Sequence, residues 1–361
     1  MERRVGLLIT LWNQDYLSKQ LQLLPKAEEM GFSEVWSGIG KETAARAKEV
    51  SKVLSSLGFY YVVDVSPDVF RQLGASPRDL RVFKDLGIQG LRADWGFNLD
   101  ELAEMANNDL GLKVELNASV FPTDLLDSLL KRVRDVESLM ASHDFYPWDY
   151  TGISLESLVA KSREFHQRGI PVAAFVVRKG GLRTTVESLR RLEVGASASI
   201  LFNTGVVDRV WLGEPEPTEE ELREVGQAAK VTKIRVIVYP GLTEEERKVF
   251  GTEFRDVRIK ETTVGMIAAG ENRIGRRNIV RRFRGAVCVI NDNPHYLQVW
   301  IFKGDGEANQ RFNVIGEVLE EDMEVVERLG ERTRSTFSVV AEETFPPVRL
   351  EPLFDRVKEA R

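Results

Sequence analysis

The chain has 361 residues, of which 56 are acidic and 50 are basic, so its formal net charge is −6. This length is typical of two domains, and the mildly acidic balance argues against a general nucleic-acid-binding protein. The single cysteine, Cys288, excludes an internal disulfide framework and a cysteine-based zinc site. No apolar run is long enough for a membrane span. We therefore expect a cytoplasmic protein that does not contact a membrane.

Strand-like and helix-like stretches alternate from the N-terminus to about residue 230. The predicted strands are short apolar or β-branched runs at 5–11, 34–37, 59–65, 90–94, 112–117, 139–143, 171–177 and 207–211. The predicted helices between these strands lie at 17–30, 68–73, 79–86, 100–107, 124–137, 155–168 and 185–191. A further helix ends before Gly58, and the last one is capped by Thr218. Eight such strands predict a (β/α)₈ TIM barrel. A doubly wound open sheet is the main alternative, but no Gly-rich phosphate fingerprint follows the first strand.

The pattern changes after Lys230, where helical stretches become short and glycines become frequent. Predicted strands in this part lie at 234–238, 286–290, 296–302 and 311–318. The sequence therefore predicts a barrel domain at 1–232 and a smaller, mostly β domain at 233–361.

The C-terminal ends of the barrel strands are where a TIM-barrel enzyme builds its active site. Among the polar side chains at the predicted strand ends are Asp64, Arg92, Asp94, Glu115, Asn117, His143, Asp144, Tyr146 and Asp208. Several carboxylates at one rim indicate acid–base chemistry. A single carboxylate at a strand end can equally cap a loop or pair with an arginine.

Asp94 is the strongest individual candidate, because Arg92 lies two residues before it and shares its side of the strand. Arg92 could orient Asp94 or bind an anionic group of the substrate. Glu115 and Asn117 also share one parity, so both face inward if either does. Asp208 lies within an apolar run, where a buried structural role and a catalytic role are both open.

Two further features concern binding rather than catalysis. His143 and Tyr146 lie in an aromatic stretch that could form the floor of a sugar site. Six arginines fall within 273–284 and form either a solvated face paired with acids or an anion site facing the barrel mouth. No His-x-x-x-His or Cys-x-x-Cys pair occurs, so we expect no transition-metal site.

Several motifs resemble those of the 6-phospho-N-acetylmuramidase family. The stretch His-Asp-Phe-Tyr-Pro at 143–147, continuing to Thr-Gly-Ile-Ser at 151–154, is similar to the family's His-Asn-(Phe/Tyr)-Tyr-Pro…Thr-Gly-Leu-Ser. The stretch Leu-Arg-Ala-Asp-Trp-Gly-Phe at 91–97 resembles its Leu-Arg-Leu-Asp-Tyr-Gly-Phe segment. Shorter matches at 64–67, 116–119, 254–256, 284–293 and 313–316 follow in order along the chain.

The resemblance implies a TIM barrel followed by a cyclophilin-like β domain. It also implies a cytoplasmic glycosidase that acts on N-acetylmuramic acid 6-phosphate glycosides in cell-wall recycling, with no metal or organic cofactor. This chain departs from the family where Trp148 and Asp149 replace an Arg-Pro pair, and where the loop at 180–187 is shortened. Trp148 offers a flat apolar face for a sugar ring instead of a cation.

We therefore predict a glycoside hydrolase for a phosphorylated or acidic amino sugar. The predicted catalytic carboxylates are Asp94 and Glu115, with Asp64 and Asp208 in reserve. The predicted substrate-binding residues are Arg92, Asn117, His143, Tyr146, Trp148, Arg282 and Arg284. A carboxylate-dependent sugar-acid lyase or isomerase and a non-catalytic carbohydrate-binding protein are the alternatives. Homo-oligomerisation is left open.

Overall fold

The computed structural model describes residues 3–270, 272–328 and 348–352. The chain divides into two compact units, Met1–Gln227 and Ala228–Arg361. The first unit is built from eight parallel strands that close into a barrel, β1 to β8 in chain order. They are β1 Arg4–Leu8, β2 Phe32–Gly38, β3 Tyr60–Val65, β4 Gly90–Ala93, β5 Lys113–Asn117, β6 Leu139–Ser142, β7 Val172–Val176 and β8 Arg209–Leu212. The predicted TIM barrel is thereby confirmed.

Nine helices of the described part of the first unit surround or follow these strands. They are α1 Gln14–Glu29, α2 Ala44–Ser56, α3 Pro67–Leu73, α4 Arg81–Asp85, α5 Leu99–Ala106, α6 Leu126–Leu130, α7 Leu155–His166, α8 Val194–Asn203 and α9 Glu219–Lys230. Side-chain caps fix where several of them begin. Asn98 accepts the amide hydrogens of Asp100 and Glu101 at the start of α5, and Thr218 accepts that of Glu221 at the start of α9.

Two predicted helices differ from the observed ones. The segment predicted as one helix at 124–137 forms only a 3₁₀ turn, the short helix α6, and a second 3₁₀ turn at Val136–Ser138. The second turn is separate because Asp135 caps its start, where its side chain accepts the Glu137 amide hydrogen. Between 185 and 191 only Ser188–Arg191 is helical, as a 3₁₀ turn. The helix α8 was not predicted, because it is buried nearly all round and lacks an amphipathic stripe.

The second unit contains a seven-stranded sheet, whose spatial order is β10-β11-β13-β12-β14-β9-β15. The strands are β9 Thr232–Val238, β10 Asp256–Ile259, β11 Thr263–Ala269, β12 Ala286–Ile290, β13 Tyr296–Phe302, β14 Phe312–Val318 and β15 Val348–Pro352. In the part of this unit that the structure describes, it is accompanied by the helices α10 Glu244–Arg247 and α11 Glu320–Arg328. Cys288 is fully buried in the core of this sheet between Ala286 and Val314. None of the helices in the described ranges has both the length and the apolar character that a membrane crossing requires.

Candidate active site

The C-terminal rim of the barrel holds three carboxylates around one buried guanidinium. Arg92, on β4, is 3% exposed and projects into the barrel. Its Nη1 donates to Asp64 at 2.9 Å and to Asp94 at 3.0 Å, and its Nη2 donates to Asp144 at 2.5 Å. Its Nε donates to the Ser142 hydroxyl at 2.8 Å. Every nitrogen of this guanidinium is therefore engaged, and Arg92 fixes three acids from three different strand ends. We call Asp64, Asp94 and Asp144 the acidic cluster.

Asn117, the last residue of β5, ties two members of the acidic cluster together. Its Nδ2 donates to the Asp94 carboxylate at 3.0 Å and to that of Asp144 at 2.9 Å. Its Oδ1 accepts the Ser119 amide hydrogen at 3.0 Å, which fixes the orientation of the amide group. Asn117 thus holds the two carboxylates close together despite their like charges.

Asp64 has an environment that favours its protonated form. The pKa of Asp64 is raised to about 6, chiefly by burial and in addition by the neighbouring Asp94, although the positive charge of Arg92 acts in the opposite direction. Trp36 donates from Nε1 to the same carboxylate at 3.1 Å. The pKa of Arg92 itself is raised, since three carboxylates outweigh the effect of its burial. The rim therefore combines a carboxyl group that can hold a proton near neutral pH with a permanently charged guanidinium.

Aromatic side chains form one wall beside the acidic cluster. The ring of Phe145 meets Trp36 edge-on at a centroid distance of 5.9 Å and Phe175 at 5.4 Å. Exposed tryptophans lie on the loops that follow β1, β4 and β6, namely Trp12, Trp95 and Trp148. Trp148 is 70% exposed. Flat apolar faces of this kind are suited to stacking on sugar rings. Tyr146 is half-buried, and its amide hydrogen is bonded to the Thr184 carbonyl at 2.8 Å.

Glu115 faces inward as predicted, but it does not lie at the rim. It is 1% exposed, and its Oε2 accepts from Arg209, the first residue of β8, at 3.0 Å. Arg209 also binds Glu34 near the start of β2 at 2.9 Å. Glu115 is paired in register with Arg92 on the neighbouring strand. Because the strands of a barrel are tilted, its side chain nevertheless lies farther from the C-terminal rim, where it meets the first residue of β8. The expectation that Glu115 opens onto the rim is therefore wrong.

Asp208 lies at the opposite end of the barrel from the acidic cluster. It precedes β8, and its carboxylate accepts the amide hydrogen of Val172, the first residue of β7, at 3.0 Å. It also contacts His166 at the end of α7 at 3.2 Å. The predicted position of Asp208 at the C-terminal rim is therefore wrong, because Asp208 lies just before the N-terminal end of β8. The structure gives it a structural role between two strand beginnings.

His143 points away from the barrel interior and is completely buried. Its Nε2 is hydrogen-bonded with Ser162 on α7 at 2.9 Å, and its Nδ1 is hydrogen-bonded with Ser119 at 3.4 Å. Burial lowers the pKa of His143 to about 3, so the ring is neutral. Because Ser119 in turn accepts the Asp144 amide hydrogen at 2.9 Å, His143 supports the acidic cluster from behind. The expectation that it contacts substrate directly is wrong.

The predicted binding arginines of the second unit have partners within that unit. Arg284 is paired with Glu320 at 2.7 Å and with Glu327 at 2.8 Å. The Arg282 guanidinium lies 4.6 Å from the ring centroid of Phe302 and donates to the Glu307 carbonyl. Both side chains are thus engaged in stabilising the second unit, and their role towards substrate stays a prediction.

Asp144 is the member of the acidic cluster that the predicted catalytic residues omitted. The sequence indicated it, because Asp144 lies two residues after the end of β6, in the stretch that resembles the family motif. In the part of the chain that the structure describes, no group of three or more His, Cys, Asp or Glu side chains is arranged to hold a metal ion.

Comparison with known proteins agrees with this architecture along nearly the whole chain. Residues 9–227 match the model of the 6-phospho-N-acetylmuramidase N-terminal domain, and residues 233–338 match that of the C-terminal domain. A crystal structure of an uncharacterized B. cereus protein has 25% sequence identity and a TM-score of 0.78, with 97% of this chain and 99% of that one covered.

A second similar structure is that of a conserved Enterococcus faecalis protein with an unknown function. It has 19% identity and a TM-score of 0.68, and the match covers 99% of this chain and 98% of that one. A search among curated proteins found no match. Since the two family models together span most of the sequence, the chain belongs to the 6-phospho-N-acetylmuramidase family.

Proposed function

We propose that this protein hydrolyses the glycosidic bond of an N-acetylmuramic acid 6-phosphate glycoside, such as 6-phospho-N-acetylmuramyl-N-acetylglucosamine. The observation that carries the proposal is the pair formed by Asp64 and Asp94, whose carboxylates both bond Nη1 of Arg92 at the C-terminal rim. Glycoside hydrolysis needs one carboxylic acid to protonate the leaving oxygen and one carboxylate to act at the anomeric carbon. The family membership supports the same activity.

Asp64 is suited to be the proton donor. Its raised pKa of about 6 allows it to carry a proton at a pH where an ordinary aspartate is ionised. The Trp36 indole and Arg92 fix the carboxyl group in position. A preorganised acid of this kind transfers its proton as the bond to the leaving oxygen breaks, and the departing sugar takes the proton away.

Asp94 is suited to act at the anomeric carbon. It is the most exposed member of the acidic cluster, with a side chain that is 38% exposed, so substrate can reach it. Hydrogen bonds from Arg92 and Asn117 fix its carboxylate. In this role the carboxylate stabilises the positive charge that develops on the sugar ring or bonds to the anomeric carbon. A water molecule then attacks that carbon, the bond to Asp94 breaks, and the proton of the water returns to Asp64. Asp144, bonded to both of the same donors, adds negative potential next to that charge.

The finer parts of the proposal rest on the family resemblance. They are a cyclophilin-like fold for the second unit, a role in cell-wall recycling and a cytoplasmic location. The substrate is a small carbohydrate, and Trp148 provides a stacking face for it. No metal or organic cofactor enters this chemistry, in which the side chains at the rim carry every step.

The decisive experiment is an assay of the purified protein on 6-phospho-N-acetylmuramyl-N-acetylglucosamine, with release of N-acetylglucosamine measured by chromatography. We expect Asp94→Asn to lower turnover by about 100-fold or more with the fold intact. The matched control is Asp109→Asn, which changes an exposed aspartate that pairs with Arg134 on the surface. Full turnover by Asp94→Asn, or no product from the wild-type protein, would contradict the proposal.

A further inference from the structure

The loop after β7 is held firmly against the segment that carries Asp144. Thr184 and Tyr146 form an antiparallel bridge, and the Thr185 hydroxyl donates to the Asp144 carbonyl at 2.9 Å. The buried Arg190 donates to the Leu182 carbonyl at 2.9 Å on this loop. The residue between these anchors, Arg183, is therefore fixed relative to the acidic cluster.

Arg183 itself lies at the mouth of the barrel. Its backbone and Cβ pack on Gly213, the residue after β8, where an added Cβ would come within 2.6 Å of the Arg183 carbonyl oxygen. Its guanidinium lies 5.8 Å from the centroid of the Phe145 ring. The same ring contacts Trp36, which donates to Asp64. One aromatic side chain thus separates the Arg183 cation from the residues that hold the proposed proton donor.

Burial raises the pKa of Glu214, and the charge of Arg183 lowers it in part, so Arg183 interacts with this carboxylate only through space. Among the residues that the structure describes, none forms a hydrogen bond or an ion pair within 4.0 Å with its guanidinium. The neighbouring rim arginines are paired: Arg178 with Glu214 at 3.3 Å and Glu221 at 3.0 Å, and Arg190 with Glu187 at 2.9 Å. Since Glu214 already has Arg178 as its partner, the half-buried Arg183 keeps its donors free for a ligand.

We propose that Arg183 is the specificity-determining residue that binds an oxyanion of the substrate, either the 6-phosphate or the lactyl carboxylate. This inference rests on the proposed function. The lactyl group is attached at the ring carbon C3 and the phosphate at the exocyclic C6, both away from the anomeric carbon, so their cation must lie beside the acidic cluster rather than within it. A guanidinium with free donors suits either oxyanion, because its planar fork matches phosphate and carboxylate geometry. Arg183 thereby supplies a cation at an end of the barrel where the exposed Trp148 offers only an apolar face.

The test compares wild type, Arg183→Gln and Arg183→Lys on four glycosides with the same leaving group. Their sugars are N-acetylmuramic acid and N-acetylglucosamine, each with and without a 6-phosphate. The matched control is Arg191→Gln, because Arg191 lies at the same distance, 5.8 Å, from the Tyr150 ring but on the exposed surface. We expect Arg183→Gln to lower kcat/KM about 10- to 100-fold, mainly through KM, only for glycosides that carry the recognised oxyanion. Arg183→Lys should recover part of the loss, and Arg191→Gln should lose nothing.

The pattern over the four glycosides identifies the oxyanion. A loss confined to the phosphorylated pair assigns the phosphate, and a loss confined to the muramyl pair assigns the lactyl carboxylate. An equal loss on all four, the neutral N-acetylglucosaminide included, or no loss on any would overturn the inference while leaving the proposed function intact. If Arg183→Gln does not fold, the kcat/KM of Arg183→Lys on the four glycosides is compared with that of the wild type by the same criteria.

A second measurement keeps the two proposals separate. If the wild-type protein hydrolyses none of the glycosides, the proposed function fails, and calorimetric titration with the four free monosaccharides then tests Arg183 alone. Binding of an anionic sugar that Arg183→Gln weakens about tenfold or more supports the assignment. Equal binding by both proteins, or no binding of any sugar by the wild type, overturns it.

Discussion

The carboxylates of Asp64 and Asp94 accept hydrogen bonds from a single nitrogen atom, Nη1 of Arg92, at 2.9 and 3.0 Å. The two bonded oxygens can therefore be no farther apart than the sum of these distances. This limit applies to the two bonded oxygens, and so short a separation favours the geometry of retaining glycosidases over that of inverting ones, whose carboxyl groups are about 6.5–9.5 Å apart to admit a water molecule. It is compatible with the separation of about 5–5.5 Å found in retaining enzymes.

We accordingly predict that hydrolysis proceeds with retention of the anomeric configuration. The anomer released first should be the one present in the substrate, and proton NMR of the early product decides this before mutarotation obscures it. Appearance of the opposite anomer would exclude Asp94 as the nucleophile in this arrangement.

The pH profile should reveal Asp64 as the proton donor. Because the protonated form is the active one and its pKa is about 6, kcat/KM should fall as the pH rises above that value. Asp64→Asn should remove this alkaline limb and lower kcat/KM about 100-fold or more. An alkaline limb that persists unchanged in Asp64→Asn would assign the proton donor to another group.

Replacement of Arg92 should destabilise the fold as well as abolish activity. Arg92→Met leaves three neighbouring carboxylates without their shared cation, and we expect a loss of about 3 kcal/mol in the free energy of unfolding at neutral pH. The loss should shrink on acidification, because protonation removes the repulsion among the acids. Urea denaturation at two pH values measures both effects, and a loss independent of pH would contradict this explanation.

Glu115 should contribute to stability and not to catalysis. Glu115→Gln removes the ion pair with Arg209, which keeps Glu34 as a partner, so we expect a loss of about 1–3 kcal/mol in the free energy of unfolding. The kcat of the folded variant should stay close to that of the wild type. Denaturant titration and steady-state kinetics on one preparation separate the two quantities, and a large fall in kcat with unchanged stability would reverse the assignment.

His143 should make the protein less stable in mild acid. Its pKa is about 3 in the folded state and 6.5 in the unfolded chain, so the unfolded state binds more protons between these values and stability falls as the pH drops below 6.5. For this group alone we expect a loss of about 2 kcal/mol between pH 6.5 and pH 5. His143→Gln should reduce that slope, whereas the same change at the exposed His295 should preserve it.

The amino-acid sequence by itself determined the barrel and most of the rim. Strand runs alternating with helical patterns define eight strands, since local apolar periodicity reflects which faces must be buried. Asp64, Arg92, Asp94 and Asn117 lie at or just beyond strand ends, and the hydrogen bonds of Arg92 and Asn117 bring them together.

Only the tertiary structure decided how deep and on which side each remaining candidate lies. Glu115 shares the inward parity of Asn117 but reaches Arg209, 94 positions away, because the tilt of the strands sets its depth. The position predicted for Asp208 at the C-terminal rim is wrong, because it precedes β8 and binds the amide of Val172 at the opposite end of the barrel. Arg183 likewise keeps its hydrogen-bond donors free because Glu214 is paired with Arg178, five positions earlier in the chain. Pairing between distant strands and competition among charges are collective properties of the closed barrel, and no local stretch of sequence contains them.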